Sequence, residues 1–327
     1  MMKQLKTEYL GLSLRNPLIV SSSGLTASLD KLQRLEAAGA GAVVLKSVFE
    51  EQIVNETAHL EAYNAYPEAA DYLHFYLKED YLEQYIGLIA EAKKNLSIPV
   101  IGSICCVSEG GWIDFARRIE EAGADALELN VFFLPVDPMV AGAEIERQYL
   151  SVVRDVAEKV SVPVAVKIST HFTSPLNMIQ GIRQCGAEGV VMFNRFYEPD
   201  INTDSLQVME ADIFSTSADL RGSIRWIAMA SAAFPDLDIA ASTGVHTGED
   251  AVKVLLAGAS AFEVCSAIYH NGLGVIDRIN GYLSGWMTEH HFTSISEFCG
   301  RLNYRSVAHP LAYERAQFMK YFAARGE

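Results

Sequence analysis

The sequence has little positive charge. Its 327 residues include 26 Lys and Arg against 41 Asp and Glu, which gives a formal net charge of −15 at pH 7. Proteins that bind nucleic acid or anionic membranes draw much of their affinity from basic side chains. We therefore expect neither of these partners, and a small-molecule substrate is the better expectation. A bound phosphate group is compatible with the net charge, because a helix N-terminus can hold one.

Long hydrophobic runs are also missing. No stretch approaches the roughly 20 apolar residues that span a bilayer. The N-terminal segment MMKQLKTEYL contains no hydrophobic stretch of the kind found in signal peptides. From these two features we expect a cytoplasmic protein.

Cysteines are few and scattered. The sequence has five, an odd number, and Cys105 and Cys106 form the only adjacent pair. Neither a disulfide framework nor a C-x-x-C metal motif is present. We therefore expect no structural metal site; the other three cysteines are Cys185, Cys265 and Cys299.

Short apolar runs rich in Val, Ile and Ala recur eight times, each followed by a polar connection and a segment of helical period. Runs that are apolar on both faces predict strands of a parallel sheet covered on both sides. Eight strand–helix units predict an α/β protein with a (β/α)₈ TIM barrel as its fold. An open doubly wound sheet is the rival, but no G-x-G-x-x-G motif opens a helix. The runs are Leu18–Val20, Ala42–Leu45, Val100–Ile104, Ala126–Leu129, Val164–Ile168, Gly189–Phe193, Leu237–Ala241 and Ala261–Val264.

Four helical segments end in the same way, with a glycine followed by small residues just before the next strand. A glycine at this position predicts a left-handed helix C-cap. The recurrence favours one domain over residues 1–327 rather than two fused domains. The four segments are Glu36–Leu45, Glu120–Leu129, Arg183–Met192 and Leu255–Val264.

Two long connections break this rhythm. Residues 47–80 follow the second strand and residues 194–222 follow the sixth, and both exceed the ordinary connection of ~2–6 residues. In a barrel they belong to the C-terminal mouth, where active sites are built. We therefore predict an elaborated mouth with an insertion at 47–80, and a helical tail over 276–327.

Polar side chains stand at the predicted C-terminal end of every strand. Lys46 and Lys167 are the strongest signals, because an ammonium group at the end of an apolar strand needs either a partner or a function. A structural ion pair with a nearby carboxylate is the alternative for each. The strand-end residues are Ser21–Gly24, Lys46 and Ser47, Cys105 and Cys106, Asn130, Lys167, Asn194 and Arg195, Ser242–Gly244, and Cys265 and Ser266.

The last two strand ends predict a phosphate site. Gly244 follows the seventh strand, Thr247 is placed to cap a helix that begins near Glu249, and Cys265 and Ser266 follow the eighth strand. Backbone N–H groups of these turns can converge on one phosphate, which is its usual place in such barrels. The alternative is that the glycines only shape turns.

Nearly the whole chain resembles the dihydroorotate dehydrogenase family, flavin barrels of the soluble kind. The resemblance is carried by an ordered series of motifs rather than by one alone. These are YLGLSLRNPLIVSSSG (Tyr9–Gly24), AVVLKS (Ala42–Ser47), ADALELN (Ala124–Asn130), PVAVKIS (Pro163–Ser169) and TGEDAVKVLLAGASAFEV (Thr247–Val264). The activity that the resemblance implies is the oxidation of dihydroorotate to orotate in pyrimidine biosynthesis.

The resemblance also implies FMN as the cofactor and assigns residues to it. The phosphate would be held near Gly244, Val245, Cys265 and Ser266. Lys167 would lie near N1 and O2 of the flavin, where a fixed cation stabilises the anionic reduced ring. Residues at other flavin-binding positions are Ser22, Ser23, Gly24, Lys46, Ser47 and Asn130; Asn64, Asn130 and Asn194 match substrate-binding positions.

One departure from the family pattern affects catalysis. The family has a catalytic Cys or Ser three residues after the asparagine that matches Asn130, and this sequence has Phe133 there. A phenyl ring accepts no proton, so the half of the reaction that removes a proton is impaired while the hydride acceptor is kept. His171 is the first candidate for a replacement base, since its ordinary pKa is about 6.5; Cys105 and Cys106 are weaker candidates. The phosphate loop departs as well, with Thr243 and Cys265 where the family has glycines.

Three functions therefore stay open. The first is an FMN oxidoreductase acting on dihydroorotate or a related cyclic substrate. The second is a barrel lyase in which Lys46 or Lys167 forms a Schiff base. The third is a barrel that binds flavin or phosphate without catalysis. A homodimer is possible on this reading.

Overall fold

Eight parallel strands form a closed barrel in the computed structural model, which describes residues 5–49, 67–106 and 112–315. Each barrel strand coincides with one of the eight predicted apolar runs, and the predicted TIM barrel is confirmed. Around the barrel the strands follow the chain order and close between the last and the first, where Phe262 pairs with Leu18. Numbered in chain order with the shorter strands, all are β1 (Thr7–Tyr9), β2 (Leu12–Leu14), β3 (Leu18–Val20), β4 (Ala42–Val44), β5 (Val48–Phe49), β6 (Val100–Cys106), β7 (Ala126–Val131), β8 (Val164–Ile168), β9 (Gly189–Met192), β10 (Pro199–Asn202), β11 (Gln207–Glu210), β12 (Asp238–Ala241) and β13 (Ala261–Val264).

Helices connect successive barrel strands, as parallel pairing requires. They cover the outside of the barrel, so a strand such as β8 is buried at every position. Continuous apolar runs follow from this double burial. The helices are α1 (Leu29–Ala37), α2 (Pro67–Asn95), α3 (Trp112–Glu121), α4 (Gly142–Ala157), α5 (Pro175–Gln184), α6 (Leu220–Ala233), α7 (Gly248–Ala257), α8 (Ser266–Asn271), α9 (Gly274–Glu289) and α10 (Leu311–Glu314). Among the described residues, none of these helices is long and apolar enough to cross a membrane.

The N-terminal end of the barrel is closed by the hairpin of β1 and β2. Tyr9 and Leu10 of this hairpin are buried against inward-facing alanines of the barrel strands. The alanines leave the lower interior wide enough for these two larger side chains. The backbone N–H of Leu10 donates to Asp238 Oδ2 at 2.7 Å, which fixes the hairpin to β12. Because the bottom is sealed, a ligand can enter the barrel interior only from the opposite end.

The four predicted glycine caps are present. Gly39, Gly123, Gly186 and Gly258 all have positive φ angles, of 104°, 95°, 96° and 111°. L-residues other than glycine rarely adopt this region. At Gly258 a Cβ atom would also lie 2.4 Å from Ser231 Oγ, so both the φ angle and the lack of space exclude a side chain there.

The two long connections contain secondary structure of their own. In the first, β5 extends the sheet beside β6, and residues 67–80 belong to the long helix α2. Residues 50–66 lie outside the described residues. The second contains the exposed antiparallel hairpin of β10 and β11, which the sequence analysis did not predict. Its strands are exposed on both faces, so no apolar alternation marked them.

Of the predicted helical tail over 276–327, the structure describes residues 276–315, and these are helical only in part. Helix α9 begins at Gly274 and ends at Glu289, and between it and α10 the described residues form turns and one short 3₁₀ segment, Ile295–Glu297. Polar side chains hydrogen-bond locally there, as Asn303 Oδ1 does with the N–H groups of Arg305 and Ser306. Such bonds compete with helix formation.

Candidate active site

A polar pocket of about 150 Å³ opens at the C-terminal mouth of the barrel. Seven residues that the sequence assigned to flavin or substrate line it: Ser22, Lys167, Asn194, Gly244, Val245, Cys265 and Ser266. Seven more share the lining: Ser21, Arg195, Ile213, Ser215, Ser242, Thr243 and Glu263. The pocket is therefore built from the ends of several barrel strands, which bring together residues far apart in sequence.

Lys167 forms the centre of the pocket floor. It points into the barrel from β8, is 5% exposed, and its Nζ lies 2.5 Å from Glu263 Oε2 on β13. Nζ also donates to Ser21 Oγ at 3.0 Å. Ser21 Oγ and Ser242 Oγ donate in turn to Glu263 Oε2, at 2.8 and 3.1 Å. Lys167 thus forms the buried ion pair that was the alternative to a functional role. The pair lies at the mouth of the barrel, however, and Lys167 also lines the pocket.

Glu128 is the second carboxyl group of this cluster. It points inward from β7, is 2% exposed, and its Oε1 lies 3.7 Å from Lys167 Nζ. Burial, followed by the charge of Glu263, raises the pKa of Glu128 well above its usual value. Burial would also raise the pKa of Glu263, but Lys167 and the hydrogen bonds to that carboxylate lower it. A proton shared by this pair is therefore favoured on Glu128, and the carboxylate is favoured on Glu263.

The charge of Lys167 is secure in this setting. Burial alone would lower its pKa, but the carboxylate of Glu263 and then Glu128 raise it above the ordinary 10.5. A lysine that forms a Schiff base must be able to lose its proton. The lyase hypothesis through Lys167 therefore finds no support in this geometry.

A chain of hydroxyl groups crosses the other side of the mouth. Ser22 Oγ lies 2.9 Å from Ser47 Oγ, which lies 2.7 Å from Ser103 Oγ on β6. Ser22 Oγ also accepts from the backbone N–H of Ser47 at 2.8 Å. These bonds hold the segment after β3 against the segment after β4. Lys46 precedes Ser47 there and is half-buried.

The two predicted asparagines meet. Asn194 Nδ2 donates to Asn130 Oδ1 at 2.9 Å, which joins the ends of β7 and β9. Each side chain keeps further donors or acceptors for a ligand, since an amide offers up to four hydrogen bonds. Asn64, the third predicted substrate-binding asparagine, lies outside the described residues.

Backbone N–H groups mark the predicted phosphate position. In the described part of the chain, the N–H groups of Gly244, Val245 and Ser266 donate to no protein acceptor. The N–H groups of His246 and Thr247 are already used, because both donate to Asp250 Oδ2. The capping box of Thr247 and Asp250 therefore occupies the N-terminus of α7. Any phosphate would have to bind nearer the pocket, between Gly244 and Ser266.

Thr243 shows why a glycine is the natural residue in this loop. It adopts φ of +66°, a conformation that is rare for a β-branched side chain. Its hydroxyl donates to the carbonyl of Phe193 at 2.9 Å, which holds the turn closed. No side chain fits at Gly244, which has φ of +96°, because a Cβ atom there would lie 2.5 Å from the backbone nitrogen of Leu220.

Ser23 and Gly24 lie at the edge of the mouth. Ser23 caps the short 3₁₀ segment Gly24–Thr26, with its Oγ accepting from the N–H of Leu25 at 3.2 Å. Burial raises the pKa of the neighbouring Cys265, while the hydrogen bond with Ser23 opposes that shift. Cys265 is therefore a neutral thiol at pH 7. Because the family has a glycine at this position, Cys265 does not replace a polar side chain of the pocket.

Phe133 turns away from the Lys167 pocket. Its ring contacts Tyr149 of α4 edge to face, with centroids 5.0 Å apart, and its backbone N–H donates to Tyr149 Oη. It lines a separate cleft of about 430 Å³ with Phe132, Leu134 and other residues of the loop after β7. Nothing in this arrangement places a proton acceptor at that position.

The candidate replacement bases do not reach the pocket either. His171 is exposed, and its ring stacks on Phe196 with centroids 5.5 Å apart. Cys105 is next to last in β6, is buried and does not line the pocket, and Cys106 is the last residue of β6, with a side chain outside the described residues. Among the described residues, neither His171 nor Cys105 lines the pocket.

The two buried carboxyl groups beside Lys167 were not identified from the sequence. Glu128 lies two residues before Asn130, and Glu263 lies two residues before Cys265. Because side chains alternate along a strand, residues two apart face the same way. This period could have placed both carboxyl groups inside the barrel. Arg195, whose guanidinium donates to the carbonyl of Asp212, was noted only as a strand-end residue.

Comparison with known proteins identifies the family. A family model described as dihydroorotate dehydrogenase matches residues 4–287. The catalytic subunit of dihydroorotate dehydrogenase B (NAD(+)) from Methanocaldococcus jannaschii is 25% identical over 298 residues, covering 88% of this chain and 95% of that protein. The putative dihydroorotate dehydrogenase A (fumarate) of Aeropyrum pernix is 27% identical over 317 residues, covering 91% and 97%.

A relative with a different printed activity also matches. The NAD-dependent dihydropyrimidine dehydrogenase subunit PreA of Escherichia coli K12 is 23% identical over 327 residues, covering 92% of this chain and 77% of that protein. Since the family model spans most of the sequence, the chain belongs to the dihydroorotate dehydrogenase family. It is an oxidoreductase of the class that acts on CH–CH bonds. Enzymes of this family generally bind FMN.

Proposed function

We propose that this protein is an FMN-dependent dehydrogenase that oxidises a CH–CH bond in a dihydropyrimidine-like ring. The observation that carries the proposal is the position of Lys167, a buried cation at the mouth of the barrel, with free backbone N–H groups on one side and paired asparagines on the other. A role in pyrimidine metabolism in the cytoplasm is part of the same proposal.

The residues of the mouth fit FMN. The N–H groups of Gly244, Val245 and Ser266 would hold its phosphate, and Lys167 would supply a fixed cation beside the ring. FMN, when bound, supplies the acceptor for the two electrons of the substrate's C–H bond.

Asn130 and Asn194 would orient the substrate. A dihydropyrimidine ring carries amide N–H and C=O groups, which match the donors and acceptors of an asparagine side chain. Arg195 lies at the rim of the same pocket, with its side chain 26% exposed, and would attract a carboxylate on the ring. Holding the ring in one orientation brings the reacting carbon close to the acceptor, and such positioning is a large part of catalysis.

Proton removal is the weak half of the proposed reaction. Phe133 packs on Tyr149 and cannot accept a proton, and His171 stacks on Phe196 away from the pocket. General-base catalysis is typically worth ~10²–10⁴-fold in rate. We therefore expect slow oxidation of dihydroorotate, and faster oxidation of a substrate whose proton leaves without a protein base.

Anaerobic reduction of the FMN-loaded protein tests the proposal. We expect dithionite to bleach the flavin fully, because it needs no proton acceptor on the protein. Dihydroorotate and dihydrouracil are compared next, and at least one dihydropyrimidine should bleach the flavin at a slow but measurable rate. Bleaching by dithionite alone would instead favour a barrel that binds flavin without catalysis. Covalent trapping of a carbonyl compound on Lys46 by borohydride would contradict the proposal.

A further inference from the structure

The Lys167 cluster contains more carboxyl groups than one lysine requires. Glu263 satisfies the ammonium at 2.5 Å, and Glu128 adds a second carboxyl group whose Oε1 is 3.7 Å from the same nitrogen. Both carboxyl groups are at most 3% exposed. Among the described residues, Glu128 Oε1 is buried without a hydrogen-bond partner. An unsatisfied buried carboxyl oxygen is costly to keep, which suggests that it has a use.

With a proton on Glu128, where its raised pKa favours one, the cluster is neutral. One ammonium, one carboxylate on Glu263 and one protonated carboxyl group on Glu128 sum to no net charge. The carboxylate on Glu263 therefore offsets the field of Lys167 before any ligand accepts electrons. A flavin over this cluster would meet a weaker positive field than an unpaired lysine provides.

Other titratable groups face the pair, but only Lys167 is charged. Burial raises the pKa values of Cys265 directly after β13, of Tyr9 beneath the cluster and of Tyr85 on α2, so all three stay protonated at neutral pH. Asp238 lies on the far side of Tyr9, where it binds the N–H of Leu10. The two glutamates are thus the groups that can change charge beside Lys167.

We propose that Glu128 and Glu263 form a redox-linked proton acceptor, which takes up one proton when the flavin above Lys167 becomes an anion. The inference rests on the proposed function, since it needs FMN at the mouth. A new negative charge beside the Glu263 carboxylate disfavours that carboxylate and favours its protonated form. Uptake of a proton restores the neutrality of the site.

The balance of the step is simple. Two electrons from dithionite, or from the C–H bond of a substrate, and one proton convert the oxidised flavin into its anionic reduced form. A second proton from solvent converts the Glu263 carboxylate into a carboxylic acid. Each proton taken up changes the reduction equilibrium tenfold per pH unit, which is about 30 mV for a two-electron couple. Two protons therefore give about 59 mV per pH unit.

Spectroelectrochemical titration of the bound FMN between pH 7 and 9 tests the proposal. In the unmodified protein we expect the hundredfold change per pH unit of a two-proton reaction. In Glu128→Gln/Glu263→Gln we expect a tenfold change per pH unit and a higher potential at pH 8, because nothing offsets Lys167. Glu128→Gln alone keeps the Glu263 carboxylate and should keep the two-proton slope. Glu91→Gln, on the exposed face of α2, is the control that should change nothing.

Infrared difference spectroscopy of the unmodified protein gives a second readout that needs no variant. Reduction should increase the carbonyl band of protonated carboxylic acid, since Glu263 becomes protonated. A one-proton slope in the unmodified protein, with no gain in that band, overturns the inference while the flavin site stands. A protein that takes up no FMN overturns the proposed function and this inference together.

Discussion

A buried lysine with two carboxyl neighbours determines the chemistry of the mouth at the scale of single residues. Lys167 stays charged because Glu263 and Glu128 surround it, and burial next to the Glu263 carboxyl group raises the pKa of Glu128. Both pKa shifts also affect folding, because a pKa that differs between the folded and unfolded chain makes the stability depend on pH.

Glu128→Gln should make the protein more stable at neutral pH. The folded pKa of Glu128 lies above the usual 4.5, so the unmodified protein binds a proton on folding and loses stability as pH rises from there toward the folded pKa. Glutamine mimics the protonated acid and has no such dependence. We expect the difference in unfolding free energy to grow by up to ~1.4 kcal/mol per pH unit. Urea unfolding at pH 5 and pH 8 measures it, and a difference that is the same at both values would contradict the assignment.

Lys167→Met should be strongly destabilising, because it leaves the Glu263 carboxylate buried without a cation. Removing one partner of a buried ion pair typically costs about 3–5 kcal/mol. The double variant Lys167→Met/Glu263→Gln removes both charges and should recover much of this loss. Thermal or urea unfolding of the unmodified protein and the three variants, including Glu263→Gln alone, completes the cycle. Equal stability of the single and double variants would show that the pair carries no charge.

At the scale of elements, the ends of the strands bring the site together, and the loops decide what it can do. The turn after β12 must approach α6 closely, and only glycine fits at Gly244. The loop after β7 directs Phe133 toward Tyr149 on α4. These two loops govern the cofactor and the proton acceptor respectively.

Gly244→Ala should weaken FMN binding. Its φ of +96° and the 2.5 Å approach of a Cβ atom to the nitrogen of Leu220 force the loop to move. Backbone strain of this kind is on the order of 1–3 kcal/mol, which corresponds to about tenfold or more in the dissociation constant. Gly285→Ala, on α9 with open space around it, is the matched control. Titration with FMN, followed by fluorescence, compares the two variants. Unchanged affinity in Gly244→Ala would show that this loop does not contribute to FMN binding.

Phe133→Cys should raise the rate of flavin reduction by dihydroorotate only modestly. A thiol at this position would point toward Tyr149 unless the loop rearranges, so we expect less than the full ~10²-fold gain of a general base. Phe132→Cys, in the same loop, controls for the loss of an aromatic ring. Stopped-flow reduction under anaerobic conditions gives the rates. A gain of ~10²-fold or more would show that the loop already places residue 133 at the substrate.

The sequence could predict the barrel strands because burial on both faces leaves continuous apolar runs. It could not predict the hairpin of β10 and β11, whose exposed strands carry no such pattern. At the site, Lys167 was identifiable as a charge at an apolar strand end. Its partners Glu128 and Glu263 were not identified, because the pairing of strands far apart in sequence is a property of the closed barrel. The direction of the Phe133 side chain could not be predicted either, because the alternation of side chains along β7 ends before the loop that contains Phe133.

At the scale of the whole molecule, a closed barrel that is capped at its N-terminal end has a single entry to its interior. The hairpin of β1 and β2 seals one end, so ligands must reach Lys167 through the mouth. The homodimer suggested by the sequence analysis stays a prediction, which light scattering of the purified protein can check. Family membership follows from a match over residues 4–287, which includes every barrel strand.

The flavin content of the purified protein tests the central claim most directly. We expect a yellow protein that releases FMN on denaturation, or a colourless one that takes up added FMN until about one is bound per chain. The dissociation constant should rise in Gly244→Ala, which ties the binding to the mouth. A free FMN concentration of about 100 times the dissociation constant should also add ~2.7 kcal/mol to the free energy of unfolding. A protein that purifies without flavin and binds none when FMN is added would contradict the account.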